Sequence, residues 1–150
     1  MVSKLEVEVE VKSSADKFWE GIRQSVTLFP KIFPEMYKSI EIVEGDGKGV
    51  GSIRHIIYAE GVPMVKFAKE KIEVADEENK TVAYSVIEGD LVNFYKNFKA
   101  TLQVLSKGEG ALVKWKGEFD KAHDEVPEPT LLQEAAVKTF KDLDEYLLKA

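Results

Sequence analysis

The sequence contains no cysteine, which removes disulfides and thiolate metal sites together. Histidine, the usual acid–base residue near neutral pH, occurs only as His55 and His123, with no metal-ligand spacing, so neither a metal nor a cofactor is expected. No stretch is apolar for long enough to span a membrane. Residues 1–12 alternate charged and aliphatic side chains, unlike a secretion signal, and a cytoplasmic location is expected. A basic surplus is missing too: the net charge is −6 and the lysines are interleaved with Glu and Asp. Binding to nucleic acid or an anionic membrane surface relies on clustered Lys and Arg that displace counterions, so neither partner is expected. There is no internal repeat, low-complexity run or linker rich in Pro, Ser or Gly, and residues 1–150 are expected to form a single domain.

What is present is a soluble composition, 44% hydrophobic and 32% charged. Leu5, Val7, Val9 and Val11 alternate with Glu6, Glu8, Glu10 and Lys12, the period of a strand with one apolar face. Ser13, followed at capping spacing by Asp16, predicts a helix carrying Ala15, Phe18, Trp19, Ile22 and Val26 on one face. Pro30 and Pro34 interrupt the next segment, so Leu28, Phe29, Ile32 and Phe33 predict a second short helix. Between about Lys38 and Lys121 six strands are separated by turns at 45–51, 60–63, 76–80, 88–90 and 107–110. Thr130 and Gln133 stand at capping-box spacing and open a helix to Lys149, with Leu132, Ala136, Phe140, Leu143 and Leu147 as its stripe.

This order is an α+β layout with an antiparallel sheet. Seven strands spaced at about 4.8 Å make a sheet roughly 34 Å wide, whereas one helix covers about 10–12 Å. The sheet must curl around the helix, and the space left over is either a filled core or an apolar pocket. Spacing alone leaves both open.

The run Gly45-Asp46-Gly47-Lys48-Gly49-Val50-Gly51-Ser52, the segment Tyr84-Ser85-Val86-Ile87-Glu88-Gly89-Asp90 and the ending Tyr146-Leu147-Leu148 resemble the Bet v 1 superfamily, in its major latex protein-like branch. The resemblance implies a helix-grip fold: a curved seven-stranded antiparallel sheet, two short helices and a long C-terminal helix enclosing an apolar cavity. It implies a binding or carrier protein for a small hydrophobic plant molecule of the steroid, terpenoid, flavonoid, alkaloid or cytokinin class, acting as a monomer in defence or stress. The alternative that it implies is a cofactor-independent cyclase or isomerase using the same cavity.

Several residues invite chemistry. The glycine run, Gly45, Gly47, Gly49 and Gly51, is not a P-loop, because Gly49 follows Lys48 and Ile42 stands where the first glycine belongs; a mobile hairpin loop at the cavity rim is expected. Lys114 aligns with the catalytic lysine of the family's Pictet-Spengler condensing enzymes, but Phe98 and Ala100 replace their helping tyrosine and carboxylate. Its strand also places Val113, Trp115 and Phe119 on the other face, so Lys114 is expected in solvent. Period two and the resemblance together propose Ile40, Ile56, Tyr58, Val65 and Phe67 as cavity liners. They add Val82, Tyr84, Val86, Phe98, Leu102 and Val104 from the later strands. Leu132, Ala136 and Phe140 join them from the long helix. Tyr58 and Tyr84 bring hydroxyls able to orient a ligand, and Tyr84 and Lys114 are the two candidate catalytic groups.

Overall fold

The computed structural model describes residues 3–60, 66–123, 125–126 and 130–149, with the side chains of Leu91, Leu131 and Leu132 left aside. The charged–aliphatic alternation at the start becomes β1 (Ser3–Val11). Two short helices come next, α1 (Ala15–Arg23) and α2 (Ser25–Ile32), then β2 (Tyr37–Glu44), β3 (Ile53–Tyr58), β4 (Phe67–Asp76), β5 (Thr81–Gly89), β6 (Tyr95–Lys107) and β7 (Gly110–Lys121). Helix α3 (Thr130–Lys149) ends the order. The strands form one seven-stranded sheet in the order β1-β7-β6-β5-β4-β3-β2, with every neighbouring pair antiparallel. Consecutive strands pair as hairpins, and β1 closes onto β7 from Ser3 opposite Phe119 to Val11 opposite Ala111. Register shifts between Ile72 and Val74 and between Lys96 and Lys99 mark bulges, which bend strands and let the sheet curve.

The structure keeps the expected elements and shifts several of their details. The cap of α1 is Ser14, whose hydroxyl accepts from the Lys17 N–H at 3.2 Å, and not Ser13. Ser13 is buried instead, and its N–H donates to Asp144 on α3. Val26 lies in α2, past a break at Gln24, and Pro30 lies inside α2 rather than ending it. Among the described residues Gln133 makes no capping-box bond: its side-chain amide donates to the Glu6 carbonyl at 3.2 Å and so ties α3 to β1. The connection after β5 is longer than a tight turn and contains a 3-10 segment, Asp90–Asn93. The turn expected at 60–63 lies largely outside the described residues.

Helix α3 lies along β1 and against α1, and α1 lies over β6 and β7. Phe140, Leu143 and Leu147 of α3 are buried there with Phe18 and Trp19 of α1. A β-carbon on Gly21 would sit 3.3 Å from Leu147 Cδ1, so glycine is what brings the two helices this close. Asp144 fastens the same corner by accepting the N–H groups of Lys12 at 3.0 Å and Ser13 at 2.9 Å. Burial pushes the Asp144 carboxyl up, but its contacts with Ser13 and Lys12 outweigh that and hold it below the usual range. The Ser13 hydroxyl lies beside the carboxylate without hydrogen-bond alignment. Beneath the helices Phe98 stacks on Phe119 at 5.9 Å, with Tyr95 edge-on to Phe119 at 5.2 Å. This part of the concave face is filled.

Candidate ligand-binding site

The remaining strands, β2 to β5, present a different inner surface. Cross-strand partners share a face of the sheet. Tyr37 pairs with Tyr58, Ile40 with Ile56, Ile56 with Ala68, Arg54 with Glu70, and Glu70 with Val86. Tyr84 stands two residues before Val86 and two after Val82, both buried, and therefore points inward as well. The concave side thus carries three tyrosines, an arginine and a carboxylate among aliphatic residues. Among the described residues, the close backbone approaches of α2 are to β2 and α1, and those of α3 are to β1 and α1, whereas β4 and β5 are approached by the 3-10 segment Asp90–Asn93.

Arg54 and Glu70 form the polar centre. Arg54 Nη2 donates to Glu70 Oε1 at 3.0 Å and Nη1 donates to the Ser25 hydroxyl of α2 at 2.9 Å, while Nε has no partner among the described residues. The two side chains are 13% and 10% exposed. Burial pushes the Glu70 carboxyl up, and the Arg54 guanidinium opposes it without cancelling it. Burial also pushes up the hydroxyls of Tyr37, Tyr58 and Tyr84; the Glu70 carboxylate adds to the rise and Arg54 moderates it. For Tyr84 the Trp115 indole offsets a further part. All three tyrosines therefore stay neutral at physiological pH and serve as hydrogen-bonding hydroxyls. The Tyr37 and Tyr58 rings lie 5.8 Å apart, and Phe29 of α2 lies 5.5 Å from Tyr37.

These tyrosines lie deep enough for burial to control their ionisation, yet each keeps some free surface. Phe98 and Phe119, by contrast, are 3% and 1% exposed. The three tyrosines are thus less closely covered than the aromatic residues beneath α1 and α3. Stability alone gives no reason for charges beside these tyrosines, since a buried ion pair is often no better than well-packed apolar residues.

The glycine-rich loop stands between β2 and β3. Gly45, Gly47 and Gly51 have φ of 76°, 83° and 89°, whereas Gly49 does not have positive φ. Several hydrogen bonds cross the loop. Asp46 Oδ1 accepts from the N–H groups of Lys48 and Gly49, both at 2.8 Å, and from the Ser52 hydroxyl at 3.2 Å. The Gly49 and Lys48 N–H groups pull the Asp46 carboxyl down to about 2. Arg23 Nη1 of α1 donates to the Lys48 carbonyl at 2.7 Å, and Trp19 Nε1 donates to Glu77 Oε2 at 2.6 Å. Arg23 Nε lies 2.8 Å from Glu77 Oε1, an ion pair whose N–H is not aligned as a hydrogen bond. Helix α1 thus binds both the loop and the β4–β5 turn.

Of the residues proposed from sequence, Ile40, Ile56, Tyr58, Val82, Tyr84 and Val86 stand on the inner side of β2, β3 and β5. Phe98, Leu102 and Val104 also face inward but lie in the filled part, as does Phe140, whose ring meets Phe18 edge-on at 6.2 Å. Ala136 is half-buried against the same core. Val65 and the side chain of Leu132 lie outside the described residues. Phe67 is a correction: it pairs with Ile57 on the outer face and its ring lies 5.5 Å from that of His55. Its neighbours Ala68, Glu70 and Ile72 turn inward instead. Lys114 is exposed on the outer face, with Nζ 4.0 Å from Glu8 Oε1, and does not enter the interior. Sequence reasoning missed Ser25, Tyr37, Arg54 and Glu70. The signal was available for two of them: Arg54 is two residues before Ile56, and Glu70 two before Ile72, so period two places both inside.

The family model described as the pathogenesis-related protein Bet v 1 family matches residues 1–150. MLP-like protein 423 of Arabidopsis thaliana is 51% identical over 145 residues, covering 97% of this chain and 94% of that protein. The crystal structure of ginseng major latex-like protein 151 from Panax ginseng superposes with a TM-score of 0.89 at 30% identity, covering 98% of each chain. Norcoclaurine synthase from Thalictrum flavum, in complex with dopamine and hydroxybenzaldehyde, shares the fold with a TM-score of 0.80 at 24% identity, over 99% of this chain and 88% of that one. By sequence over its whole length and by strand order, the chain belongs to the Bet v 1 family, in its major latex protein-like branch.

Proposed function

We propose that this protein binds one small hydrophobic molecule on the concave side of β2–β5, as a monomeric carrier or buffer and not as a catalyst. The observation that carries the proposal is the set of deep inner tyrosines with free surface, Tyr37, Tyr58 and Tyr84, beside strands β3–β5 that α1 and α3 do not approach with their backbones among the described residues. Sites of this kind bury an apolar ligand and orient it with a few polar groups. Membership of a ligand-binding fold family supports the same reading. The steroid, terpenoid, flavonoid, alkaloid and cytokinin classes all have the required apolar body.

The rival reading, a cyclase or isomerase, draws on the fold shared with norcoclaurine synthase. Lys114 speaks against a lysine-based condensation, because its charge is in solvent on the outer face. Phe98 and Ala100, at 3% and 0% exposure, are packed core. Native mass spectrometry of protein taken from its own tissue, followed by calorimetric titration with the released compound, tests the proposal. One ligand bound per chain and recovered unchanged is the expected result. Turnover of that compound, or no saturable binding of any apolar molecule, would refute it.

A further inference from the structure

Building on the proposed binding function, we infer that the bound molecule carries a neutral hydrogen-bond acceptor, of the carbonyl type, at one end of an apolar body, and that this end docks at Arg54 and Tyr58. Arginine offers five N–H donors and no acceptor. Arg54 directs one to Ser25 and one to Glu70, and its Nε finds none. The hydroxyls of Tyr37 and Tyr58 have no hydrogen-bond partner among the described residues. Glu70 takes one of the arginine donors on Oε1 and its remaining lone pairs are the acceptors of the pair, but Arg54 still keeps N–H groups that neither Glu70 nor Ser25 takes up, Nε among them, and the tyrosine hydroxyls can donate beside it. An unmatched donor in an apolar interior is costly, and a ligand oxygen brought among several of them relieves that cost.

Charge selects the kind of acceptor. Arg54 and Glu70 neutralise each other at 3.0 Å in a little-hydrated site. A ligand carboxylate gains attraction from Arg54 but meets Glu70, and a ligand ammonium meets the reverse. Either also gives up its own hydration on entry. A carbonyl accepts from Arg54 and a tyrosine hydroxyl without adding a net charge. The Arg54–Ser25 bond carries this preference to α2, which places the polar end of the site beside that helix.

Four probes that share one body and differ in the head separate these possibilities: 2-acetylnaphthalene, 2-ethylnaphthalene, 2-naphthoate and 2-naphthylmethylammonium. Calorimetric titration of the whole chain at about 0.15 M salt, where loose charge attraction is screened, supplies the affinities. The acetyl compound is expected to bind about tenfold tighter than the ethyl compound, with both charged probes weaker than either. In the double variant Arg54→Leu/Glu70→Leu, chosen so that no lone charge is left behind, the acetyl preference is expected to fall to about threefold or less while the ethyl compound still binds. Tyr58→Phe, which keeps the ring and tests the same preference should the double variant fail to melt cooperatively, is expected to reduce it by about threefold. Equal binding of acetyl and ethyl probes would overturn the inference and leave the carrier proposal standing. Tightest binding of naphthoate would overturn it in favour of an acid-binding site. Failure of all four probes to bind would overturn the carrier proposal along with it.

Discussion

The two ends of the sheet solve the same packing problem in opposite ways. Over β1, β7 and β6 the concave face is closed by α1 and α3, with Phe18, Val113 and Leu143 at 0% exposure and an aromatic stack of Phe98 and Phe119. Over β3, β4 and β5 the inner residues include Arg54, Glu70, Tyr58 and Tyr84, and among the described residues neither α1 nor α3 makes a close backbone approach. The first end resembles any protein interior, where volume and apolarity decide. The second holds polar groups that a filled core would gain nothing from. Under the proposed function stability and recognition lie at different ends of one sheet, so substitutions at the two ends should differ in kind as well as in size.

The largest effect is expected at the filled end. Phe18→Ala and Phe140→Ala should each cost about 3–5 kcal/mol, because the ring leaves a void in close packing. Urea unfolding measures this directly. A cost below about 1 kcal/mol for Phe140→Ala would mean that this end too borders open space, and the comparison would break. Next in size is Arg54→Leu at the other end, expected to cost about 3 kcal/mol by stranding Glu70 without its counterion. The double change Arg54→Leu/Glu70→Leu should cost much less, about 1 kcal/mol, and the difference between single and double variants isolates the penalty of an unpaired charge.

The two ends should also respond to pH with opposite sign. The folded-state pKa of Asp144 lies below its ordinary 3.8, so the stability it contributes is present above that value and is lost as pH falls through the lower one. Glu70 has a folded-state pKa above its ordinary 4.5, so its contribution is full below 4.5 and is lost as pH rises toward the folded value. Asp144→Asn should therefore cost about 1–2 kcal/mol at neutral pH and flatten the acid limb of the stability profile. The Leu/Leu double variant should instead remove the decline that begins above 4.5. Urea midpoints across the acid range check both, and an unchanged acid limb in Asp144→Asn would contradict the assignment. In the glycine-rich loop that joins β2 to β3, Gly47→Ala should cost about 1–3 kcal/mol, because the backbone there has φ of 83°. Smallest is Tyr84→Phe, expected to change stability by less than about 1 kcal/mol while altering which apolar probes bind. Paired calorimetric melting and titration would show whether that separation holds.

Much of the molecule was legible in the chain itself. The sequence determined the element order, the antiparallel hairpins and the amphipathic helices, because strand period, glycine turns and proline breaks are local properties that neighbouring residues enforce on one another. Tertiary structure decided which phase of an ambiguous alternation faces inward. In β4 the apolar Phe67 went outside and Glu70 inside, since Ile72 and Ala68 fix the inward phase and Arg54 on β3 supplies the counterion that a buried carboxylate needs. Tertiary structure likewise chose Ser14 over Ser13 as the helix cap, because Ser13 was drawn into the corner that Asp144 of α3 closes. Residues far apart in the chain settle such choices by neutralising, capping or filling one another, and that information exists only once the sheet has brought them together.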